Sequence, residues 1–508
     1  MAEITNLNYD MAHHLLLRSG FGHDGKMSKD RTEVKLVRSL ADLAANKGPQ
    51  AAIDSVMKVP KSKIRGPGTL NGFDSYNLQK WWVGRMVAAL KPLGEKMVLF
   101  HHTHFATASS KVYKSKYMAV QNALFREFAL GDFRELVKRV TIDAAMLWWL
   151  DNTQNVVTKP NENYARELQE LFTLGVYDFA GDRNYLQEDV KQAARILTGW
   201  SVDDDYRKRT ITVAFSAGNH DGASKTMYAS TPNAFTLPGT LPGGTVNFLG
   251  DTEYAGLVEG IFNHIDSEGH PTVARYIARK MWKFFAYDPD VDASSTTGRA
   301  DLALIDRLAD EFKSPVEDPH PTSKVGESAA YSMHALARKM FLQEEFYQDA
   351  TRTVKGPTEY VVGSLRMLRG KLGRYVSIGD VLANQGQDLL NPPNVFSWKG
   401  NLNWVTTETL LSRYDFARDF AQSPKRDPYA HYTFDIYAYL DDPPPASTTR
   451  QAVVDRFLKV LGLAVDAAEL VNWLGTADPI NLTDSDYVDT YVRGLLHLML
   501  TSPQYHVH

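Results

Sequence analysis

The segment from Asn161 to Gly175 carries the side chains best suited to chemistry. Its apolar residues recur at helical spacing, which predicts a helix with one buried stripe: Leu168, Leu171, Phe172 and Leu174. Glu167 and Glu170 are three positions apart and share a helix face, and Arg166 is four positions from Glu170 and within pairing reach. Two carboxylates and a guanidinium on an apolar helix suit general acid–base catalysis, and they suit a structural ion-pair network equally well.

A cluster of three histidines, His101, His102 and His104, ends a second amphipathic segment. If this piece is extended, His102 and His104 face the same side and form an acid–base pair or a pair of metal ligands. The alternative is a helix C-terminus that uses histidine near its last carbonyls. No HExxH spacing is present, so we rank metal-free acid–base chemistry above a divalent-metal site.

Three polar residues, His220, Asp221 and Lys225, follow a predicted strand in a loop. This combination is typical of substrate-binding loops, and a surface turn capped by the aspartate explains it as well. Trp200 follows a glycine at the end of another predicted helix. It is either an exposed platform for stacking on a ligand or a residue of the core, with the core favoured.

A proline-stiffened segment, Asn391 to Trp404, combines asparagines with two tryptophans. Aromatic faces pack on the C–H surfaces of sugar rings and amides bind hydroxyl groups. Asn394, Trp398 and Trp404 are therefore candidates for binding a saccharide. A rigid structural belt is the other interpretation.

The elements that must position these residues are mostly helices. Helical periodicity runs through residues 8–60, 77–105, 114–150, 255–287, 329–350 and 355–372. Helices alternate with a Pro-rich break in residues 404–506. The alternation in Thr210–Phe215 predicts a strand, within a small β insertion near 205–250 whose outer limits are about 201–252. We predict a mainly α fold, with residues 1–508 as one large catalytic-type domain and residues 404–508 as its C-terminal helical segment.

Composition excludes several classes of protein. The formal net charge of −4 argues against a nucleic-acid binder with a basic surface, and the absence of cysteine excludes disulfides and thiolate chemistry. No apolar run is long enough for a transmembrane helix. Met1–Thr5 does not begin a signal peptide, which leaves a cytoplasmic location open. P-loop, dinucleotide-binding and GxSxG motifs are missing.

Taken together, these segments resemble the bacterial DUF1800 family. The matching pieces are residues 14–22, 95–105, 143–147, 150–152, 161–175, 189–200, 220–225, 355–359 and 391–395. Two places depart from the family pattern: His101–Phe105 stands where members usually have Trp-His-Asn-His-Phe, and Phe396-Ser397 precedes Trp398 where they usually have Gly-Trp. The resemblance implies a bacterial protein of the periplasm or the extracellular space and makes a glycan substrate more plausible, without implying a reaction.

We expect the histidine end, the Arg166/Glu167/Glu170 face and His220 with Asp221 to converge on one site, with Glu167 as the acid–base residue and Arg166 and Glu170 orienting it. The first hypothesis is a hydrolase that cleaves a glycosidic bond in a polysaccharide or oligosaccharide, without a cofactor. The second is a non-catalytic carbohydrate-binding or cell-envelope assembly protein. The third is a metal-dependent enzyme built on the histidines and carboxylates.

Overall fold

Helices dominate the architecture, as predicted. The computed structural model describes residues 3–28, 33–58, 75–205, 210–238, 253–317, 328–348, 353–440 and 447–508. The helices that precede the β insertion are α1 (Tyr9–Ser19), α2 (Lys35–Lys47), α3 (Pro49–Met57), α4 (Ser75–Ala88), α5 (Leu93–His104), α6 (Ser109–Val112), α7 (Ser115–Glu127), α8 (Phe133–Thr141), α9 (Ala144–Trp149), α10 (Asn163–Glu170) and α11 (Gln187–Ile196).

Two antiparallel hairpins form the described part of the β insertion. Strand β1 (Trp200–Asp205) pairs with β2 (Thr210–Phe215), and β3 (Lys225–Met227) pairs with β4 (Phe235–Leu237). The predicted strand at Thr210–Phe215 is confirmed, and its outward and inward residues alternate because successive side chains of a strand point to opposite faces. Residues 239–252 of the predicted insertion lie outside the described residues.

Helices resume after the insertion and continue to the end of the chain. They are α12 (Glu253–Phe262), α13 (Thr272–Phe285), α14 (Thr296–Lys313), α15 (Met333–Leu342), α16 (Pro357–Met367), α17 (Ile378–Asn384), α18 (Thr407–Ala421), α19 (Tyr437–Leu440), α20 (Arg450–Leu461), α21 (Ala468–Trp473), α22 (Ser485–Tyr487) and α23 (Arg493–Thr501). Short antiparallel pairs join β5 (Val316–Glu317) to β6 (Ser328–Ala329), β7 (Lys371–Leu372) to β8 (Tyr432–Thr433), and β9 (Ser447–Thr448) to β10 (Ile480–Asn481).

The C-terminal helical segment packs onto the preceding helices. Helix α18 lies against α23, and the buried hydroxyl of Tyr360 on α16 donates to the carbonyl of Leu500 at 3.0 Å. A backbone bridge also joins Val354 to Val507. Residues from both ends of the chain therefore share one hydrophobic core.

Helix α5 lies at the centre of this core. Every residue of α5 except Thr103 is buried, as expected for a helix enclosed on all sides. Its charged residues must find partners inside the protein, since an unpaired buried charge is costly. Glu95 accordingly accepts hydrogen bonds from Arg85 at 3.1 Å and from Arg126 at 2.7 Å.

None of the helices within the described ranges combines the length and the apolar character needed to cross a bilayer.

Candidate functional site

The predicted apolar helix is shorter than expected. Leu171, Phe172 and Leu174 of its predicted stripe lie in the turn that leads to Gly175, and Leu168 lies in the helix itself, α10. Helix α10 buries Tyr164, Ala165, Leu168 and Gln169 and leaves Arg166, Glu167 and Glu170 half-buried on the opposite side. Beyond the helix, Gly175 adopts a φ of +79° and its amide donates to the carbonyl of Gln169 at 3.1 Å. Only glycine adopts this conformation without strain, and the turn it makes ends the segment.

The expected pairing of Arg166 with Glu170 is wrong. Arg166 instead bonds the carboxylate of Glu162 at 3.0 Å and the side-chain oxygen of Gln187 at 2.9 Å. Glu170 accepts a hydrogen bond from the hydroxyl of Tyr185 at 2.9 Å. Arg166 has a glutamate four positions away on each side, Glu162 and Glu170. It pairs with Glu162, because Gln187 of α11 bonds the guanidinium on that side.

Glu167 is left with no hydrogen-bond or ion-pair partner for its carboxyl group among the described residues. Burial, and then the neighbouring charge of Glu170, raise the pKa of Glu167 to about 7, with Arg166 opposing them. A carboxyl group that titrates near neutral pH and is half-open to solvent can both give and take a proton.

Two residues of α13 complete the surroundings of this face. The hydroxyl of Tyr276 lies 3.2 Å from the carbonyl of Glu170 and 3.1 Å from that of Leu171, and the ammonium of Lys280 donates to Leu171 at 3.0 Å. They satisfy carbonyls at the end of α10 that lack helical partners. Burial lowers the pKa of Lys280 to about 7. Our sequence reasoning missed both residues, although their i,i+4 spacing places them on one helix face.

His102 and His104 do not point to a common site, contrary to expectation. The segment is helical rather than extended, and two positions along an α-helix differ by about 200° in direction. The Nε2 atom of His102 accepts from the amide of Leu390 at 3.1 Å, whereas Nε2 of His104 donates to the carbonyl of Phe172 at 3.1 Å. Burial lowers the pKa of His102 to about 3, so this ring is neutral at ordinary pH.

Only His104 therefore approaches the segment that follows α10. Its Nδ1 atom is buried and has no hydrogen-bond partner in the described part of the chain, and its ring packs against Phe100, Phe105, Phe133 and Phe172. Burial holds the pKa of His104 well below its ordinary value. These surroundings make His104 a core residue beside the site, and the two histidines cannot jointly hold one ion.

The polar residues of the insertion loop have partners of their own. His220 lies 2.9 Å from the carboxylate of Glu253, and the ammonium of Lys225 lies 2.8 Å from the same group. Asp221 bonds Arg195 of α11 at 2.6 Å. These contacts fasten the insertion to α11 and α12. Neither His220 nor Asp221 forms a hydrogen bond or ion pair with Glu167 or Glu170 in the part of the chain that the structure describes, so the expected site is not assembled by direct contacts among these side chains.

The tryptophans fall in two environments. Trp200 is only 3% exposed and packs edge-on against Tyr254, so it offers no open face to a ligand. Trp404 is buried as well. Trp398 is half-buried at 5.8 Å from the ring of His102, and exposed Asn394 caps its own turn by accepting from the amide of Phe396 at 2.9 Å. The segment Asn391–Trp404 thus lies on the His102 side of α5.

A second polar centre, absent from our sequence-based list of sites, surrounds Glu359 of α16. Its carboxylate binds the ammonium of Lys96 and accepts from the amide of Gly356 at 2.6 Å, while Nε2 of His508 lies 3.4 Å away. Burial opposes ionisation, but Lys96 outweighs it and holds the pKa of Glu359 well below its ordinary value. Two signals in the sequence point to this centre: a lysine inside an apolar helix, and a glutamate three positions after a helix N-cap.

Lys355 borders the same centre. Its ammonium lies 3.9 Å from the centre of the Tyr505 ring, a cation–π distance, and burial lowers its pKa to about 7. Within the described ranges, the Glu359 centre included, no group of three or more histidines, aspartates or glutamates is arranged to hold a metal ion.

Comparison with known proteins gives a family and no activity. No curated protein and no solved structure matches the chain significantly. A family model described as a protein of unknown function (DUF1800) matches residues 14–507, nearly the whole chain, and this agrees with the resemblance carried by the α10 and α5 motifs. The chain belongs to the DUF1800 family.

Proposed function

We propose that this protein is a hydrolase that cleaves a glycosidic bond, with Glu167 as its general acid–base residue. The observation that carries the proposal is the carboxyl group of Glu167, which is half-buried, has no partner among the described residues, and has a pKa of about 7. Carboxyl groups in structural ion pairs have their pKa values lowered, whereas a catalytic acid needs a raised one.

The chemistry would divide between two carboxyl groups. At neutral pH a substantial fraction of Glu167 is protonated and can donate a proton to the oxygen of the leaving sugar. Glu170, whose orientation is fixed by the hydroxyl of Tyr185, supplies the second carboxyl group that such a cleavage requires. The carboxylate of Glu170 would attack the anomeric carbon as its bond to the leaving oxygen breaks, which forms a glycosyl ester on Glu170. Glu167, ionised after giving up its proton, would then take a proton from a water whose oxygen displaces Glu170 from the anomeric carbon, which releases the second product and restores both side chains.

Two features support a glycan as the substrate. Tyr177 follows the α10 segment and is 53% exposed; the guanidinium of Arg183 lies 5.1 Å from its ring centre, and a sugar would stack on the opposite face. The family resemblance adds a setting in the periplasm or outside the cell, where polysaccharides are available. Asn394 and the tryptophans of the Asn391–Trp404 segment are not part of this proposed cleavage site.

The Asn391–Trp404 segment supports a second candidate function, non-catalytic binding of carbohydrate. Phe396 is 68% exposed next to exposed Asn394 and half-buried Trp398, so an aromatic surface and an amide face solvent together. Such a surface can bind a saccharide without any acid–base group.

Incubation with a panel of polysaccharides, with released reducing ends as the readout, tests the proposal. We expect Glu167→Gln to release ends about 10²–10⁴-fold more slowly than wild type, because the amide cannot transfer a proton. Glu188→Gln is the matched control, since Glu188 is an exposed acid on the neighbouring helix α11. Equal rates for wild type and Glu167→Gln would refute the acid–base role.

The same panel separates the two candidate functions. Binding measured by calorimetry without release of ends, and lost in Phe396→Ala, would favour the carbohydrate-binding alternative. If no polysaccharide is either bound or cleaved, both candidates fail.

A further inference from the structure

A cavity of about 640 Å³ opens between α1, α2, α4 and the end of α16, and no residue of the proposed hydrolase site lines it. Most of its wall is aliphatic, from Leu16, Leu36, Leu40, Val56, Val87 and Leu365. Its volume is within the range of about 300–1,000 Å³ that is typical of small-molecule sites. Leu90 also lines the cavity and is 84% exposed, so apolar surface continues to its opening.

Most of the charged residues that line this cavity are positive. Among the lining residues that the structure describes, five are basic: Lys26, Lys91, Arg366, Arg369 and Lys371. Asp24 is the one acidic residue in this described lining, and its carboxylate is already bound to Lys26 at 3.0 Å. An apolar cavity whose remaining charges are positive attracts an anion that also carries an apolar body.

Arg366 provides a second, independent observation. One of its guanidinium nitrogens donates to the carbonyls of Met86, Val87 and Ala89 at 2.8–2.9 Å, which fixes the side chain at the end of α4. The side chain is only 6% exposed, and its Nε donor has no partner in the described part of the chain. The cavity wall therefore contains a fixed, buried positive group, which acts on a ligand through its charge.

We propose that this cavity binds a small amphipathic anion, with an alkyl chain against the aliphatic wall and a carboxylate or phosphate group among the basic residues. The proposal concerns a site separate from the Glu167 face and does not depend on hydrolase activity. It requires that the charge of the head group, and not only apolar contact, determines binding.

Gly84 of α4 allows the cavity to be filled without disturbing its charges. A Cβ atom built on Gly84 meets no other atom within 4 Å, although the residue lines the cavity and is half-buried. Gly84→Leu would therefore project into the space that the ligand's chain would occupy. The helix should tolerate this substitution, since glycine inside a helix is itself unfavourable. Gly218→Leu is the control, because Gly218 also faces open space but is exposed and lies in the β insertion.

Isothermal titration with dodecanoate, dodecyl phosphate and dodecyltrimethylammonium, each below its micelle concentration, tests the proposal. We expect one or both anions to bind wild type at least about tenfold more tightly than the cation, a difference that corresponds to a single favourable charge interaction. The tighter of the two anions identifies the head group. We expect Gly84→Leu to weaken binding of that anion at least about tenfold and Gly218→Leu to leave it unchanged.

Three results would overturn the proposal. They are the absence of binding by either anion to wild type, equal affinity for anion and cation, and unchanged affinity in Gly84→Leu. A thermal melt of each variant confirms that it is folded, and Gly84→Ala, which adds only a methyl group, serves if the leucine variant does not fold.

Discussion

Glu167 and Glu359 are both glutamates on helices of the same core, and their surroundings differ in one decisive respect. Glu359 is bound by the Lys96 ammonium and by a backbone amide, and its pKa lies well below the ordinary value. Glu167 has no such partner among the described residues, and its pKa is raised to about 7. Both groups are partly removed from water, which by itself raises the pKa of a carboxyl group, so the bound Lys96 ammonium is what reverses the net shift at Glu359.

Glu359 carries a structural charge, whereas Glu167 is available for proton transfer. An ionised carboxylate inside the core is tolerated only with a partner, and once paired it has no reason to exchange its proton near neutral pH. A half-buried carboxyl group without a partner retains that capacity. We therefore expect substitutions at the Glu359 centre to change stability and substitutions at the Glu167 face to change activity.

The largest effect on stability should come from Glu359→Gln. This substitution leaves Lys96, which is 1% exposed, as an uncompensated buried cation. We expect the free energy of unfolding to fall by about 3–5 kcal/mol in urea denaturation at neutral pH. Glu127→Gln, on an exposed position, is the control and should change it by less than about 0.5 kcal/mol. A similar value for both variants would show that the pair with Lys96 is not structural.

A double variant sharpens this test. In Lys96→Met/Glu359→Leu both charges are replaced by apolar groups, so no uncompensated charge remains in the core. We expect this variant to recover most of the stability lost in Glu359→Gln, because replacement of a whole buried pair is often neutral. A double variant as unstable as Glu359→Gln would assign the loss to the remaining contacts of Glu359, such as its bond from Gly356.

A smaller effect is expected from Tyr185→Phe at the Glu167 face. The change removes the hydroxyl that donates to Glu170 at 2.9 Å and leaves the ring in place. We expect a loss of about 0.5–1.5 kcal/mol in the free energy of unfolding, the usual net contribution of one hydrogen bond. A loss as large as that of Glu359→Gln would contradict the contrast between the two regions.

The smallest effect concerns the pH dependence of stability at Glu167. Because its pKa rises from the ordinary 4.5 to about 7 on folding, the folded protein keeps this proton over an interval in which the unfolded chain has lost it. The stabilising contribution is present below about pH 4.5 and is lost as the pH rises through about 7. As the pH rises from about 4.5 to above 7, we therefore expect the melting temperature of Glu167→Gln to increase relative to that of wild type.

Melting curves of wild type, Glu167→Gln and the Glu188→Gln control at pH 4.5 and pH 8 measure this difference. Parallel shifts in all three proteins would mean that the pKa of Glu167 is not raised in the folded state.

Several features follow from the sequence alone. Apolar periodicity predicted the helices, although α10 ends before three of the four residues of its predicted stripe. Alternation predicted the strand at Thr210–Phe215, because both patterns reflect local backbone geometry. The position of Glu167 on the polar face of α10 was predictable for the same reason. The motifs of α5 and α10 also predicted the DUF1800 family, which the match over residues 14–507 confirms.

Tertiary structure decided which partner each polar group received. Arg166 is four positions from both Glu162 and Glu170, and it pairs with Glu162 because Gln187 of α11 bonds it there. His102 and His104 diverged because their segment is helical, and Trp200 was buried against Tyr254, which is more than fifty positions away. The pair of Lys96 with Glu359 spans 263 positions. Periodicity specifies which face of an element is buried, whereas the charges and rings that meet there depend on how distant elements pack, so the chemistry of the site could be resolved only in the folded chain.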